Sequence, residues 1–474
     1  MRLFKYLVVL AMLLRPALAF SEDLGLMRLG LIQGAVQVIT KDTTTEWEPA
    51  AVNMPLNEGD RIWVPEDGRM EIQVRGGVYV RADEKTSTDI LTVNAGSAQF
   101  YMYYGHVYIN NRKGGIKIVQ VDTPLSSIRS YDNSIILIDV LEGGGAEVQV
   151  LKGHVYAENK EGKTRVGAGN ALTIREDGSA EVSPIGQPDE WEKWNLDRDK
   201  QFAVWSESSR YLPDALHEYS SEFDTHGRWI YGADYGYVWN PIVIVVEWAP
   251  YREGRWRWIR GHYVWISHEP WGWAPYHYGR WIHVTGTGWC WVPPKTNDIY
   301  WGPGYVGWVN TRKHVGWVPL APGEIYYGRG YYGPASVNIA RKNKKARDER
   351  QYKNMNVENS ATVVSRDTFG TPDRDIVRLK ENPFLEQRHD FMPPAVKPGG
   401  QTVRHATKPE TTPPPERIRQ VKPEQIRKER KLVQDREASV FRPEHPKPLR
   451  LKQVREPKVI TRKIKPARPQ ENRE

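Results

Sequence analysis

The sequence predicts a mainly β protein: a β sandwich or roll, a short helical connector, an antiparallel array of tryptophan-rich hairpins and a largely disordered basic tail. Three observations carry that expectation. Val- and Ile-rich runs such as "RMEIQVRGGVYVRA" alternate with period 2 through residues 20–187 and are bounded by Gly, Asp and Asn. Between 223 and 330 a block of about 25 residues recurs with Trp, Gly and Pro at fixed offsets. The last segment, 331–474, turns at Arg341 to Lys, Arg, Glu, Gln and Pro with few aromatics, a composition that cannot bury enough apolar surface to fold alone.

Residues 1–19, "MRLFKYLVVLAMLLRPALA", read as a secretory signal peptide. Arg2 and Lys5 form its positive start, Tyr6 to Leu14 its apolar stretch, and Ala17-Leu18-Ala19 a small-residue cleavage site. That stretch is shorter than the about 20 residues a membrane-spanning helix needs, although Arg15 beside the site leaves an uncleaved anchor open. No later segment approaches spanning length, so the mature chain, cut after Ala19, is expected in the periplasm or outside the cell with no transmembrane helix. Cys290 is the sole cysteine and lies between Trp289 and Trp291, so no internal disulfide forms and the thiol reads as a small apolar strand residue.

Charge divides the chain in the same places. Residues 20–200 carry 19 Lys/Arg against 28 Asp/Glu, residues 201–340 carry 11 of each, and residues 341–474 carry 34 against 19. Tryptophan follows suit, with 14 of the 19 between Trp229 and Trp317.

In the acidic segment a strand–glycine–strand device recurs at Gly34, Gly96 and Gly153, where glycine permits a sheet to turn a corner. The stretches "GLIQGAVQVIT", "PLNEGDRIWVPEDGRMEIQVRGGVYVR" and "VQVLKGHVYAENKEGKTRVGAGNALTI" resemble the periplasmic domain of FecR-type proteins over roughly residues 28–185. Gly59-Asp60 and the late glycines carry the resemblance most specifically. In that family the domain relays a signal from an outer-membrane receptor, through a membrane helix, to a cytoplasmic sigma factor. This sequence shows neither a cytoplasmic sigma-binding segment nor a second membrane helix, so the resemblance implies an envelope domain that binds partners and not sigma regulation.

Residues 188–222 read as a connector: "PDEWEKWNLDRDKQF" places Trp191, Trp194 and Phe202 at helical spacing, and "LPDALHEYSSEF" holds a second short helix. The repeat follows. "GRWIYGADYGYVWNP" from Gly227 and "GRWIHVTGTGWCWVPP" from Gly279 share their Gly, Trp and Pro offsets, and "GRWRWIRGHYVWIS" from Gly254 is the same unit with a shorter turn. Each reads as a hairpin ended by Pro or Ser. Period 2 places Trp256 with Trp258, Tyr263 with Trp265, Trp271 with Trp273, and Trp289 with Trp291 on shared faces. Tyr237-Val238-Trp239-Asn240-Pro241 and its variants at Trp271 and Trp289 resemble the tryptophan-rich Tyr-x-Trp-x-Pro repeat domain of exported bacterial proteins, over roughly 210–328. That family brings architecture and no activity.

The rings are either a core shared by stacked units or an exposed platform for sugar rings or proline-rich peptides. On the platform reading the binding residues are Trp239, Trp256, Trp258, Trp265, Trp271, Trp273, Trp281, Trp289 and Trp291, with Arg228, Arg255 and Arg280, which recur beside the first Trp of each unit. Those arginines either stack on the neighbouring ring or meet an acidic ligand. Catalytic patterns are weak. His262, His268, His277 and His283 lack metal-ligand spacing, and nothing sets the separation of Glu247, Glu253 and Glu269 as a glycosidase pair would require. No catalytic residue, metal or cofactor is assigned.

The expected function is a non-enzymatic envelope scaffold whose aromatic module recognises a polymer (peptidoglycan or another polysaccharide) or an envelope protein. The alternative is a hydrolase acting on such a polymer. The basic tail is expected to meet an anionic surface or to serve as a spacer, and export removes nucleic acid from its reach.

Overall fold

The computed structural model describes residues 23–41, 46–203, 206–243, 247–340, 352–367, 369 and 392–394. The expected signal peptide, residues 1–19, and most of the tail lie outside the described residues.

Sixteen strands between Met27 and Pro184 form two sheets that share one long strand, Ser97–Asn111. Its first half pairs with Thr86–Val93 and, in parallel, with Ile118–Asp122; its second half pairs with Val78–Ala82 and Ser134–Val140. The change of sheet falls at Gly105, whose φ is 109°. A Cβ there would lie 2.4 Å from Thr86 Oγ1 and 2.5 Å from Thr86 Cα, so only glycine lets the strand turn this corner. Gly34 and Gly153, two of the three expected corner glycines, also sit where the chain passes from one sheet to the other. Gly96 does not: it occupies a hairpin turn closed by Asn94 N–H on Ser97 O at 2.9 Å, and the Asn94 side chain caps the Gly96 N–H. Ile72, Val80, Phe100, Ile109, Ile136 and Val148 are among the inward residues of this mainly aliphatic core.

The connector helix, Glu190–Ala203, starts at Asp189, whose carboxylate accepts the Glu192 N–H at 2.7 Å. It lies across one sheet face. Trp191 and Trp194 stack at 5.2 Å with the Arg69 guanidinium over both, and Phe202 stacks on Tyr79 at 4.7 Å. A 3-10 turn, Asp214–Tyr219, leads into the helix Ser220–His226.

Four hairpins follow: Gly227–Gly232 with Gly236–Pro241, Gly254–Ile259 with His262–Ser267, Arg280–Val284 with Gly288–Val292, and Val306–Asn310 with His314–Pro319. The second closes through Arg260 and Gly261, both at positive φ, the two-residue turn that matches strand twist. The first and third join edge to edge through Trp239 and Trp291. "WGWAPYHYGRW" departs from the strand reading. Trp273–His277 is a single helical turn, with Tyr276 N–H on Gly272 O at 3.2 Å and Tyr278 N–H on Ala274 O at 2.9 Å. Pro275 falls where the missing N–H has no intrahelical partner to lose, so the turn forms in spite of the period-2 pattern.

The fold also runs past its expected end at 330. Ser336–Asn338 pairs in parallel with Tyr326–Gly328, and Thr362–Ser365 adds a strand to the fourth hairpin. Tyr352, Met355, Val363 and Phe369 are buried there, apolar anchors that a basic average composition conceals.

Candidate binding surface

The hairpins share one construction: a tryptophan faces a tryptophan across the strands. The pairs are Trp229 with Trp239, Trp256 with Trp265, Trp281 with Trp291, and Trp308 with Trp317. Two residues further out lies a second rung: Tyr231 with Tyr237, Trp258 with Tyr263, and His283 with Trp289. Cross-strand aromatic pairs contribute beyond their buried area, and the inner rungs together make the core.

This placement decides where the candidate residues sit. Trp239, Trp256, Trp265, Trp271, Trp273, Trp281, Trp289 and Trp291 are all buried in one aromatic cluster, and Trp258 is partly buried against it. Several indole N–H groups are spent inside: Trp239 donates to Phe223 O at 3.0 Å, Trp281 to Pro275 O at 3.0 Å and Trp291 to Tyr278 O at 2.8 Å. As placed here, the indoles form an interior and not a continuous open platform. The arginines scatter. Arg228 is exposed and donates to Asn240 Oδ1 at 3.3 Å, Arg280 lies 3.8 Å over the Tyr305 ring and not over its neighbour Trp281, and Arg255 is partly buried.

Besides His283 in the third hairpin, what reaches the surface is the outer rung of the first hairpin. Tyr231 is 70% exposed, Tyr237 47%, and Tyr235 in the turn 41%. Because Trp229, Tyr231, Tyr237 and Trp239 alternate onto one face, the ladder runs outward from the core without a break. Tyr211 completes it, with ring centroids 4.9 Å from Trp229 and 4.4 Å from Tyr237, and Tyr237 lies 5.4 Å from Tyr231. Trp229 is held by its indole N–H on Ser208 Oγ at 2.7 Å, and Asp224 in turn accepts from Ser208 and Ser206. The strand Gly227–Gly232 is outermost in its sheet, and among the described residues no strand pairs its far edge. Pairing in the sequence pointed to tryptophans. The signal for the tyrosines was the replacement of the outer-rung Trp by Tyr, a ring with a water-facing hydroxyl.

The ionisable candidates have inward partners. Glu269 accepts from Trp248 Nε1–H at 2.8 Å, Ser267 Oγ–H at 3.3 Å and the Tyr276 hydroxyl; burial, with Glu253 nearby, pushes its pKa up to about 7. Glu247 is exposed and Glu253 partly so. Burial lowers His262, bonded to the Tyr332 hydroxyl at 2.7 Å, to about 4, and lowers His277, bonded to Gly302 O at 2.7 Å, to the same value. Burial raises the Cys290 thiol to about 11. Among the described residues no group of three or more His, Cys, Asp or Glu side chains is placed to hold a metal.

The aromatic module is fastened to the first domain by a buried seam. Arg28 donates to Gln73 Oε1 at 2.8 Å, to Asn53 Oδ1 at 2.7 Å and to Glu222, and its guanidinium lies over the Tyr219 and Trp273 rings. Asn53 Nδ2 donates onward to Glu269 O at 2.8 Å, and Arg257 pairs with Glu48 at 2.6 Å.

Residues 60–156 match the family model described as FecR protein, and residues 220–324 match a family of unknown function, DUF6600. Two crystal structures of a "putative anti-sigma factor" from Parabacteroides distasonis, at 1.65 and 2.50 Å resolution, are 15% and 16% identical over 26% of this chain. The chain spans 59% of the length of each, with a TM-score of 0.24 in both cases. No curated protein matches the chain. Within the described residues no helix is long and apolar enough to cross a membrane. The two matched segments, in the order the chain runs, make this a FecR-type domain followed by a tryptophan-rich DUF6600 domain.

Proposed function

We propose that the protein is an exported scaffold of the cell envelope, periplasmic as FecR-type domains are in their family context. Its aromatic module binds an envelope polymer or protein through the tyrosine rung of the first hairpin. One observation carries the reading: the ladder, whose other tyrosine and tryptophan rings are buried or partly buried, emerges as an all-tyrosine rung at Tyr231 and Tyr237, beside an open strand edge. Tyrosine joins a large apolar face to a polar tip at low conformational cost, which is why it anchors recognition surfaces. An exposed strand edge adds main-chain donors and acceptors to such an anchor. A binding role is favoured over hydrolysis because the raised carboxyl group among the rings, Glu269, is already satisfied by three donors, Trp248, Ser267 and Tyr276.

The test is capture from envelope extract by the mature chain and by Tyr231→Ala/Tyr237→Ala. Both should melt alike, since these side chains are solvent-exposed, and the double variant should lose the captured partner. Equal capture by the two proteins refutes the rung as the site, and soluble fragments released from labelled peptidoglycan favour the hydrolase.

A further inference from the structure

We propose a second binding site, independent of the tyrosine rung, for a carboxylate-bearing glycan, in an open cleft of about 300 Å³ on the FecR-type domain. Four strands lie side by side there, and the register Tyr79–Asn110–Ile135–Lys152 runs straight across them. The connector helix closes the cleft with Leu196 and Asp199.

Three cations face this space on a domain that is otherwise acidic: Arg112, Lys113 and Lys152. None of their side chains forms an ion pair or hydrogen bond among the described residues. Arg112 is nonetheless held in place. Its guanidinium lies 4.9 Å from the Tyr79 ring and 5.6 Å from the Phe202 ring, and those two rings stack on each other. A guanidinium fixed by stacking, with its planar fork of donors unspent, is prepared for a carboxylate.

The acids nearby are already answered. Asp199 forms an ion pair with Arg81 at 2.7 Å and accepts from the Tyr108 hydroxyl at 2.7 Å and from Asn110 Nδ2 at 2.6 Å. Asp132 accepts the Gly114 N–H at 2.8 Å. Among the lining residues the three cations therefore meet a single carboxylate, Asp199, which is already paired with Arg81.

Two features select a glycan over an acidic peptide. Every strand in the register is paired on both sides, so no backbone edge is offered to an extended chain. The rest of the lining is amide and aliphatic, with Asn133 beside Ile135 and Leu196, which suits hydroxyl groups and the C–H face of a sugar ring.

Titration calorimetry of the mature chain with trigalacturonate, galactotriose and triglutamate tests this. Trigalacturonate should bind with an affinity that falls as salt rises, and galactotriose should bind at least tenfold more weakly. Lys113→Ala/Lys152→Ala, whose side chains are exposed and whose melting should match the parent, should bind trigalacturonate at least tenfold more weakly. Absence of trigalacturonate binding, equal binding by the double variant, or triglutamate binding as tight as trigalacturonate overturns the proposal.

Discussion

Glu269→Gln should stabilise the protein in a pH-dependent way. The Glu269 carboxyl belongs to a group whose ordinary pKa is 4.5 and is pushed up to about 7, burial being the leading cause and Glu253 adding to it; the donors Tyr276, Trp248 and Ser267 work in the opposite direction. The folded state thus holds this proton more tightly than the unfolded chain. Its contribution is fully present below about pH 4.5 and is lost as pH rises through 7. From 4.5 to about 7, at about 1.4 kcal/mol per pH unit, the loss is about 3.5 kcal/mol. Glutamine removes the titration while keeping the shape: its oxygen can accept from Trp248 and its amide can donate to the Tyr276 hydroxyl oxygen. For a folded body of this size 1 kcal/mol moves the melting point by roughly 2 °C. Calorimetric melting from pH 5 to 8.5 should therefore show the variant drawing ahead of the parent by about 7 °C at the alkaline end and by less than about 2 °C at pH 5. His262 and His277, neutral across this range, contribute nothing to the difference. Parallel profiles would refute the reasoning.

Two further perturbations probe the seam and the tail. Arg28→Ala strands the largely buried Glu222 side chain, 19% exposed, and leaves the Gln73 and Asn53 side-chain oxygens without the Arg28 donor. Breaking a buried pair costs about 3–5 kcal/mol, so urea unfolding should shift by that amount, and a loss under about 1 kcal/mol would deny Arg28 its place as the fastening between the domains. A chain ending at Pro394 keeps the strand Thr362–Ser365 and removes most of the basic tail. Its retention on purified cell wall should lose its salt dependence, and undiminished salt-dependent retention would take the tail out of the account.

Much of the hairpin module was legible because its signal is local. Offsets between Gly, Trp and Pro determine which residues pair across a strand, and the Trp229–Trp239, Trp256–Trp265 and Trp281–Trp291 rungs follow from them. Which rung is wet was not legible, because burial depends on what packs beside each hairpin: the first and third hairpins both end the same sheet, yet Trp289 is buried while Tyr231 and Tyr237 are not. The helical turn at Trp273–His277 was hidden beneath a strand-like alternation. The Arg28–Glu222 contact joins residues 194 apart, a separation over which periodicity carries no information. The basic cleft was missed for a related reason. Arg112, Asn133 and Lys152 belong to three different turns or strand ends, and only the sheet register gathers them.

Leu24 and Phe369 lie in the same buried aromatic cluster, 345 residues apart along the chain. A Cβ on Gly25 would meet the Trp301 ring at 2.4 Å, so the opening segment is wedged directly beneath the indoles. The cluster is thus latched at both ends of the folded body. Such distant closure makes for slow, late assembly. A nascent chain would hold its tryptophans unsealed until residue 369 had emerged, so the module should acquire protease resistance in one step, only after that residue is free.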